Sequence, residues 1–306
     1  MDSISDIIIT ILITVIHFTW YNYEKIKATK NQLLIWSILS LALSFLVYKL
    51  TNTKNHYFEL LITSIAANIF NYFIITEDIN IKKIPKSVGV LLLFFFSVII
   101  QLIPIYYLHY DLNNLTSKQQ LIVTCFSDSF LLITLIILYR KTFKEDFKKL
   151  KGNFYKIIDI GIKYWLIGLI IMMISNIIIG LFITQATAVN EQSVRELIKS
   201  SSLISIITIG IIGPINEELT FRKAFRDVFK NDTAFIILSG LIFGGIHVLL
   251  SLTSPWDILY VIPYSSLGIA FAKIYQQSDN IYAAIIMHIF HNTVLTTLSI
   301  IGLGVI

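Results

Sequence analysis

The stretch SSLISIITIGIIGPINEELTFRKAFRDVF, residues 201–229, opens as an apolar run and then takes in Glu217, Glu218 and Arg222. A charge held in hydrocarbon costs about 2.5–3.5 kcal/mol on insertion scales. Two readings follow. Either the second half is an interfacial amphipathic end whose charges reach water, or it is a spanning helix whose charges face the inside of a bundle. Glu218 and Arg222 stand at i and i+4, the helical ion-pair spacing that lowers the cost of both. Glu217 lies about 100° round the helix and has no partner in this arrangement.

The rest of the chain favours a membrane setting. Of its 306 residues 56% are hydrophobic and only 14% charged, against about 25% charged in soluble domains. Mean hydropathy is +0.76. The fold class expected is all-α, a polytopic transmembrane helix bundle of about ten spans. Candidate spans lie near 5–23, 32–49, 57–76, 87–108, 119–139, 157–184, 198–228, 233–251, 257–275 and 281–303. The seventh is the weakest as a plain span, because polar residues fill its second half. Cys125 is the single cysteine, so no intramolecular disulfide can form. The N-terminal MDSISD carries acid in place of a basic n-region, which argues against a cleavable signal peptide. No concentrated basic face with interleaved aromatics is present, so nucleic acid is not an expected partner.

The net charge of +5 has a topological meaning. Of 24 Lys and Arg residues, eighteen fall in the odd-numbered connections and five in the even-numbered ones, with Lys163 at the start of the sixth span. By the positive-inside rule the odd connections are cytoplasmic and both termini lie outside. The densest basic stretch, RKTFKEDFKKLKGNFYK at 140–156, reads as a solvated cytoplasmic loop. It divides the chain into an N-terminal five-span region of unknown role, 1–150, and a second region, 151–306. The sixth connection, TQATAVNEQSVRELIKS, is long and polar and has the makings of a short amphipathic helix.

Three of the later spans carry polar residues at matching depth. Taking about 1.5 Å per residue from the cytoplasmic ends, Glu217 lies about 18 Å deep, His247 about 21 Å, His288 about 12 Å and Asn292 about 18 Å. A lone histidine on an apolar helix is more often a hydrogen-bonded core residue than a catalytic one. Gly244 and Gly245, just before His247, allow close helix approach. His288 and Asn292, in HIFHN, share a helical face, with His291 about 60° off. Structural polar residues have no reason to agree in depth, so a carboxylate, two imidazoles and an amide at one level point to a reaction site or a metal site.

EELTFR fits E-E-x-x-x-R, FGGIH at 243–247 fits F-x-x-x-H and HIFHN at 288–292 fits H-x-x-x-N. In this order on consecutive apolar segments, the three motifs resemble the CAAX protease and bacteriocin-processing family of intramembrane proteases, over roughly 160–306. The resemblance implies that 151–306 is an intramembrane catalytic domain. It implies that Glu217 and His247 activate a water, that His288 and Asn292 donate to the oxyanion, and that Glu218 and Arg222 hold the first motif in place. Carboxylate, imidazole and amide suit those roles on general grounds. G-x-S-x-G and H-E-x-x-H are both absent, which disfavours serine and zincin mechanisms. The cofactor is left open: none, or a divalent metal such as zinc on Glu217, His247 and His288.

The expected activity is hydrolysis of a peptide bond in a peptide or membrane-protein substrate within the bilayer. The Ile-, Asn- and Lys-rich composition suggests a multi-pass protein of a bacterial plasma membrane. Peptide maturation, signalling or bacteriocin immunity are roles the family analogy implies. Two rivals stand beside it: a proton-coupled transporter using Asp128 and Asp159, and a non-catalytic immunity or scaffold partner.

Overall fold

The computed structural model describes residues 80–182, 188–249 and 255–302. The expected spans at 5–23, 32–49 and 57–76 lie outside them. The regular elements among the described residues are helices, and six of these are long and apolar enough to cross a membrane. With two shorter helices, α4 and α6, the order is Ile84–Tyr107 (α1), Ser117–Leu138 (α2), Arg140–Phe182 (α3), Val189–Ser200 (α4), Ser202–Val228 (α5), Asp232–Leu249 (α6), Val261–Ser278 (α7) and Ile281–Ile300 (α8). Helix α4 is the amphipathic helix expected in the sixth connection, and α6 is a shorter apolar helix.

Local chemistry sets several of the ends. Thr116 opens α2 with a capping box, its hydroxyl accepting from Gln119 N while the Gln119 side chain accepts from Thr116 N. The Asn231 side chain accepts from Ala234 N at the start of α6, and the Asn280 side chain accepts from Tyr282 N at the start of α8. Asp279 closes α7 in the left-handed conformation, with φ of 46°. The same turn is tied to α3: Asp146 Oδ2 accepts from Ile281 N at 2.9 Å and Asp146 O from Asn280 Nδ2 at 2.7 Å.

The basic stretch 140–156 is helix, not loop. It forms the first part of α3, which is two helical segments meeting at a kink at Asn153, where φ is −137° and the backbone leaves the helical conformation. At about 1.5 Å per residue the segment beyond the kink, 154–182, extends to roughly 44 Å and by itself exceeds the hydrocarbon thickness. The Lys-rich first third must therefore stand clear of the bilayer, where its ammonium groups keep their water. Further along, Ile162, Leu166, Ile170, Ile174 and Ile177 are exposed, as a lipid-facing stripe requires.

The most buried span is α7, wedged between α3 and α6 by small residues. A Cβ on Gly168 of α3 would come within 2.6 Å of the Ala270 Cβ, and one on Gly240 of α6 within 2.6 Å of the Ile269 backbone nitrogen. Gly244 is as tight, 2.6 Å from the Ser265 nitrogen. These close approaches bring the backbones together where van der Waals contact has to replace the hydrophobic effect. Gly244→Ala is accordingly expected to cost about 1–3 kcal/mol through overpacking against backbone that cannot swing aside. The readout is a lowered thermal unfolding midpoint in detergent. Gly152→Ala, with nothing within 4 Å, should leave the midpoint unchanged or raise it.

Candidate active site

The site is built on α5, which is not a regular helix. Ile206–Ile212 and Glu218–Lys223 are wide π turns on either side of a single α turn, Gly213–Glu217. Pro214 explains the first irregularity. In the π register Gly213 N bonds the Thr208 carbonyl, and the next bond in the series would run from residue 214 to the Ile209 carbonyl. Proline has no N–H to make it. The orphaned carbonyl is taken by Asn292, whose Nδ2 donates to Ile209 O at 3.1 Å, and the next one, Gly210 O, accepts from Thr293 Oγ1 at 3.2 Å. Broken backbone at membrane depth is thus satisfied by the neighbouring helix α8.

The second π turn carries the charges. Glu218 and Arg222 are fully buried and form an ion pair with Nε–Oε2 of 3.1 Å, so they do not reach out to water from an interfacial helix end. Arg222 Nη1 also donates to Ser239 Oγ at 3.1 Å, and Ser239 Oγ donates to the Phe221 carbonyl at 2.8 Å. The guanidinium lies 4.7 Å from the Phe243 ring centre and 5.9 Å from that of Phe271, a desolvated cation–π setting. Glu218 is shared: its Oε1 is 2.8 Å from His288 Nδ1.

Glu217 faces elsewhere, as the 100° offset required. Its Oε2 lies 3.5 Å from His288 Nε2 and its Oε1 lies 3.9 Å from His247 Nε2. The Glu217 and His247 side chains keep 19% and 22% of their exposure, against 4% for His288 and none for Glu218. Of the four residues expected to react, the structure brings Glu217, His247 and His288 together. Asn292 sits one turn beyond His288, tied to Ile209 through one of its two amide hydrogens. His291, by contrast, is a core residue whose Nδ1 accepts from Trp165 Nε1 at 3.3 Å.

Both imidazoles are held by rings that sequence reasoning missed. His247 stacks on Tyr264 at 5.1 Å and 20°, and His288 stacks on Phe271 at 4.4 Å and 21°. Tyr264 and Phe271 are seven residues apart, two turns on one face of α7. That spacing was the available signal, but in so apolar a chain it does not stand out. The absence of a side chain at Gly244 lets α7 approach closely enough for Tyr264 to reach His247. Ser239, a lone hydroxyl two turns before His247, was legible as a polar residue in an apolar run but not as a partner of Arg222.

The tautomer of His247 follows from its other nitrogen. Nδ1 is 2.8 Å from the Phe243 carbonyl, which only accepts, so Nδ1 carries a hydrogen and in the neutral ring Nε2 is an acceptor. Two acceptors, His247 Nε2 and Glu217 Oε1, therefore face each other at 3.9 Å. A water placed between them can donate one hydrogen to each. As a metal site the set fits poorly. Among the described residues no group of three or more His, Cys, Asp and Glu side chains is placed to hold a metal ion, and the Glu217 carboxylate lies between the imidazoles.

Residues 199–294 match the family model described as Type II CAAX prenyl endopeptidase Rce1-like. The chain is also 30% identical over 107 residues to the "Putative membrane peptidase YdiL" of Bacillus subtilis (strain 168). That alignment covers 34% of this chain and 40% of the relative, well under two thirds of its length. No solved structure matches. The resemblance drawn from the three motifs is borne out over residues 199–294, which are similar to the Rce1-like CAAX prenyl endopeptidases, a family of hydrolases. The matched segment is shorter than the 160–306 expected.

The buried pair is the stability element of this site. Arg222→Met strands the Glu218 carboxylate without its cation and is expected to cost about 3–5 kcal/mol. The purified variant should show a marked loss of folded protein or a large fall in unfolding midpoint. A midpoint like that of the wild type would contradict the pairing.

Proposed function

We propose that the chain is an intramembrane endopeptidase that hydrolyses a peptide bond with a water activated by Glu217 and His247. The observation that supports this best is the facing pair of acceptors, Glu217 Oε1 and His247 Nε2, at 3.9 Å. A water between them is oriented by both hydrogens, leaving its oxygen lone pairs for the substrate carbonyl carbon. Glu217 takes one proton as the C–O bond forms, and delivers it to the amine nitrogen as the C–N bond breaks.

The negative charge that develops on the carbonyl oxygen needs donors. His288, with Nδ1–H given to Glu218, offers a second N–H at Nε2 when it is doubly protonated. The remaining amide hydrogen of Asn292 is the second donor. Glu218 and Arg222 take no part in the chemistry and set the position of the turn that carries Glu217.

The reacting unit is assigned to 151–306, with α1 and α2 of the preceding region as its supports. The arrangement is ten spans with both termini outside a bacterial plasma membrane, and the site opens toward the cytoplasm. Substrates are peptides or membrane proteins cut at the edge of the bilayer, in peptide maturation, signalling or bacteriocin immunity. The test is a set of single changes, Glu217→Ala, His247→Ala and His288→Ala, in protein reconstituted with a reporter peptide. Cleavage is expected to fall by about 10²–10⁴-fold in each, at unchanged expression. Asn292→Ala should cost about 10²-fold and also lower the unfolding midpoint, because Ile209 O loses its donor. Wild-type biological activity in all three alanine variants would favour a non-catalytic membrane partner. Transport that fails with Asp128→Asn while those variants stay active would favour a proton-coupled transporter.

A further inference from the structure

The turn that carries Glu217 is only five residues long, Gly213–Glu217, and lies between two π turns. Its backbone bonding lacks a donor at Pro214 and changes register on both sides, so side-chain links to other helices add to what fixes its rotation. On the N-terminal side these are Asn292 and Thr293 of α8, bonded to the Ile209 and Gly210 carbonyls. On the C-terminal side they are Glu218, Arg222 and Ser239. Within the turn itself there is Asn216.

Asn216 is 2% exposed, and its Nδ2 donates to the backbone carbonyl of Asp128 on α2 at 2.9 Å. Asp128 lies ten residues from the end of α2 at Leu138, so about 15 Å along the helix and level with the other site residues. The bond crosses 88 residues of chain to a helix outside the 199–294 segment. It acts on the residue just before Glu217, whose side chain leaves the helix about 100° away. Holding Asn216 against α2 therefore sets the rotation of the turn and with it the aim of the Glu217 carboxylate. A packing role alone would be met by an apolar residue. A buried amide with Oδ1 lacking a hydrogen-bond partner is an expensive filler, which argues that the donor bond is what the position requires.

We propose that Asn216 is a positioning residue for the reaction, aiming Glu217 through its hydrogen bond to the Asp128 carbonyl. The inference rests on the endopeptidase reading. It gives α2 a definite part in the site: that helix supplies the fixed point against which the reacting turn is registered.

Asn216→Asp keeps the shape and exchanges the donor nitrogen for an oxygen that repels the Asp128 carbonyl. Asn216→Ala removes the bond without repulsion. Both are assayed in liposomes with a cleavable reporter peptide, alongside thermal unfolding. The expected result is a fall in kcat of about 10- to 100-fold with KM unchanged, because a carboxylate misplaced by about 1 Å reacts poorly while the substrate still binds. Thr220→Val is the control. Thr220 lies one turn further along α5, is fully buried and has an unpartnered hydroxyl. This near-isosteric change should leave kcat alone. Wild-type kcat in either Asn216 variant overturns the proposal. So does a raised KM with kcat intact, or a fall in kcat that Thr220→Val reproduces. If Asn216→Asp does not fold, Asn216→Ala decides by the same criteria. A wild-type protein that cleaves no peptide overturns the endopeptidase reading, and this inference with it.

Discussion

The buried ion pair between Glu218 and Arg222 is the constraint on which the site depends. Neither side chain keeps any exposure, and around the pair α6 supplies Ser239 and Phe243 while α7 supplies Phe271. A guanidinium and a carboxylate placed there are tolerable only when those three helices meet in one arrangement. Glu218 then reaches α8 through His288. One pair of charges thus ties together the helices that carry Glu217, His247 and His288, and fixes which way Glu217 must point.

The two adjacent glutamates have different environments because the helix turns about 100° between them. One is enclosed and neutralised. The other stands between two imidazoles and keeps part of its exposure. The irregular backbone of α5 makes this possible. The π turns widen the helix around Glu218, and Pro214 frees carbonyls that Asn292 and Thr293 occupy. Asn292 therefore holds the backbone of α5 with one amide hydrogen.

Much of this was legible in the residues. The i, i+4 spacing of Glu218 and Arg222 gave their pairing, and matching depth brought Glu217, His247 and His288 together before any coordinates. The amphipathic helix of the sixth connection could be read as well. What escaped were contacts that depend on how helices rotate against each other: Ser239 on Arg222, Tyr264 and Phe271 on the imidazoles, Asn216 on the α2 backbone. Hydropathy gives the length of a span but not its azimuth in the bundle, which is set by close approaches such as Gly244 to Ser265. The basic stretch 140–156 was misread as loop for a related reason. Charge density marks what must stay in water, and a helix projecting from the bilayer satisfies that as well as a loop does.

The separate duties of the adjacent glutamates are tested most directly by measuring turnover and unfolding on one pair of isosteric variants, Glu217→Gln and Glu218→Gln. With Glu217 as the reacting group, Glu217→Gln should unfold at the wild-type temperature and bind peptide, yet turn over at least about 10²-fold more slowly. Glu218→Gln should unfold at a clearly lower temperature, since Arg222 is left buried without its counter-charge. The reverse pattern, an unstable Glu217→Gln beside a stable and inactive Glu218→Gln, would contradict the account.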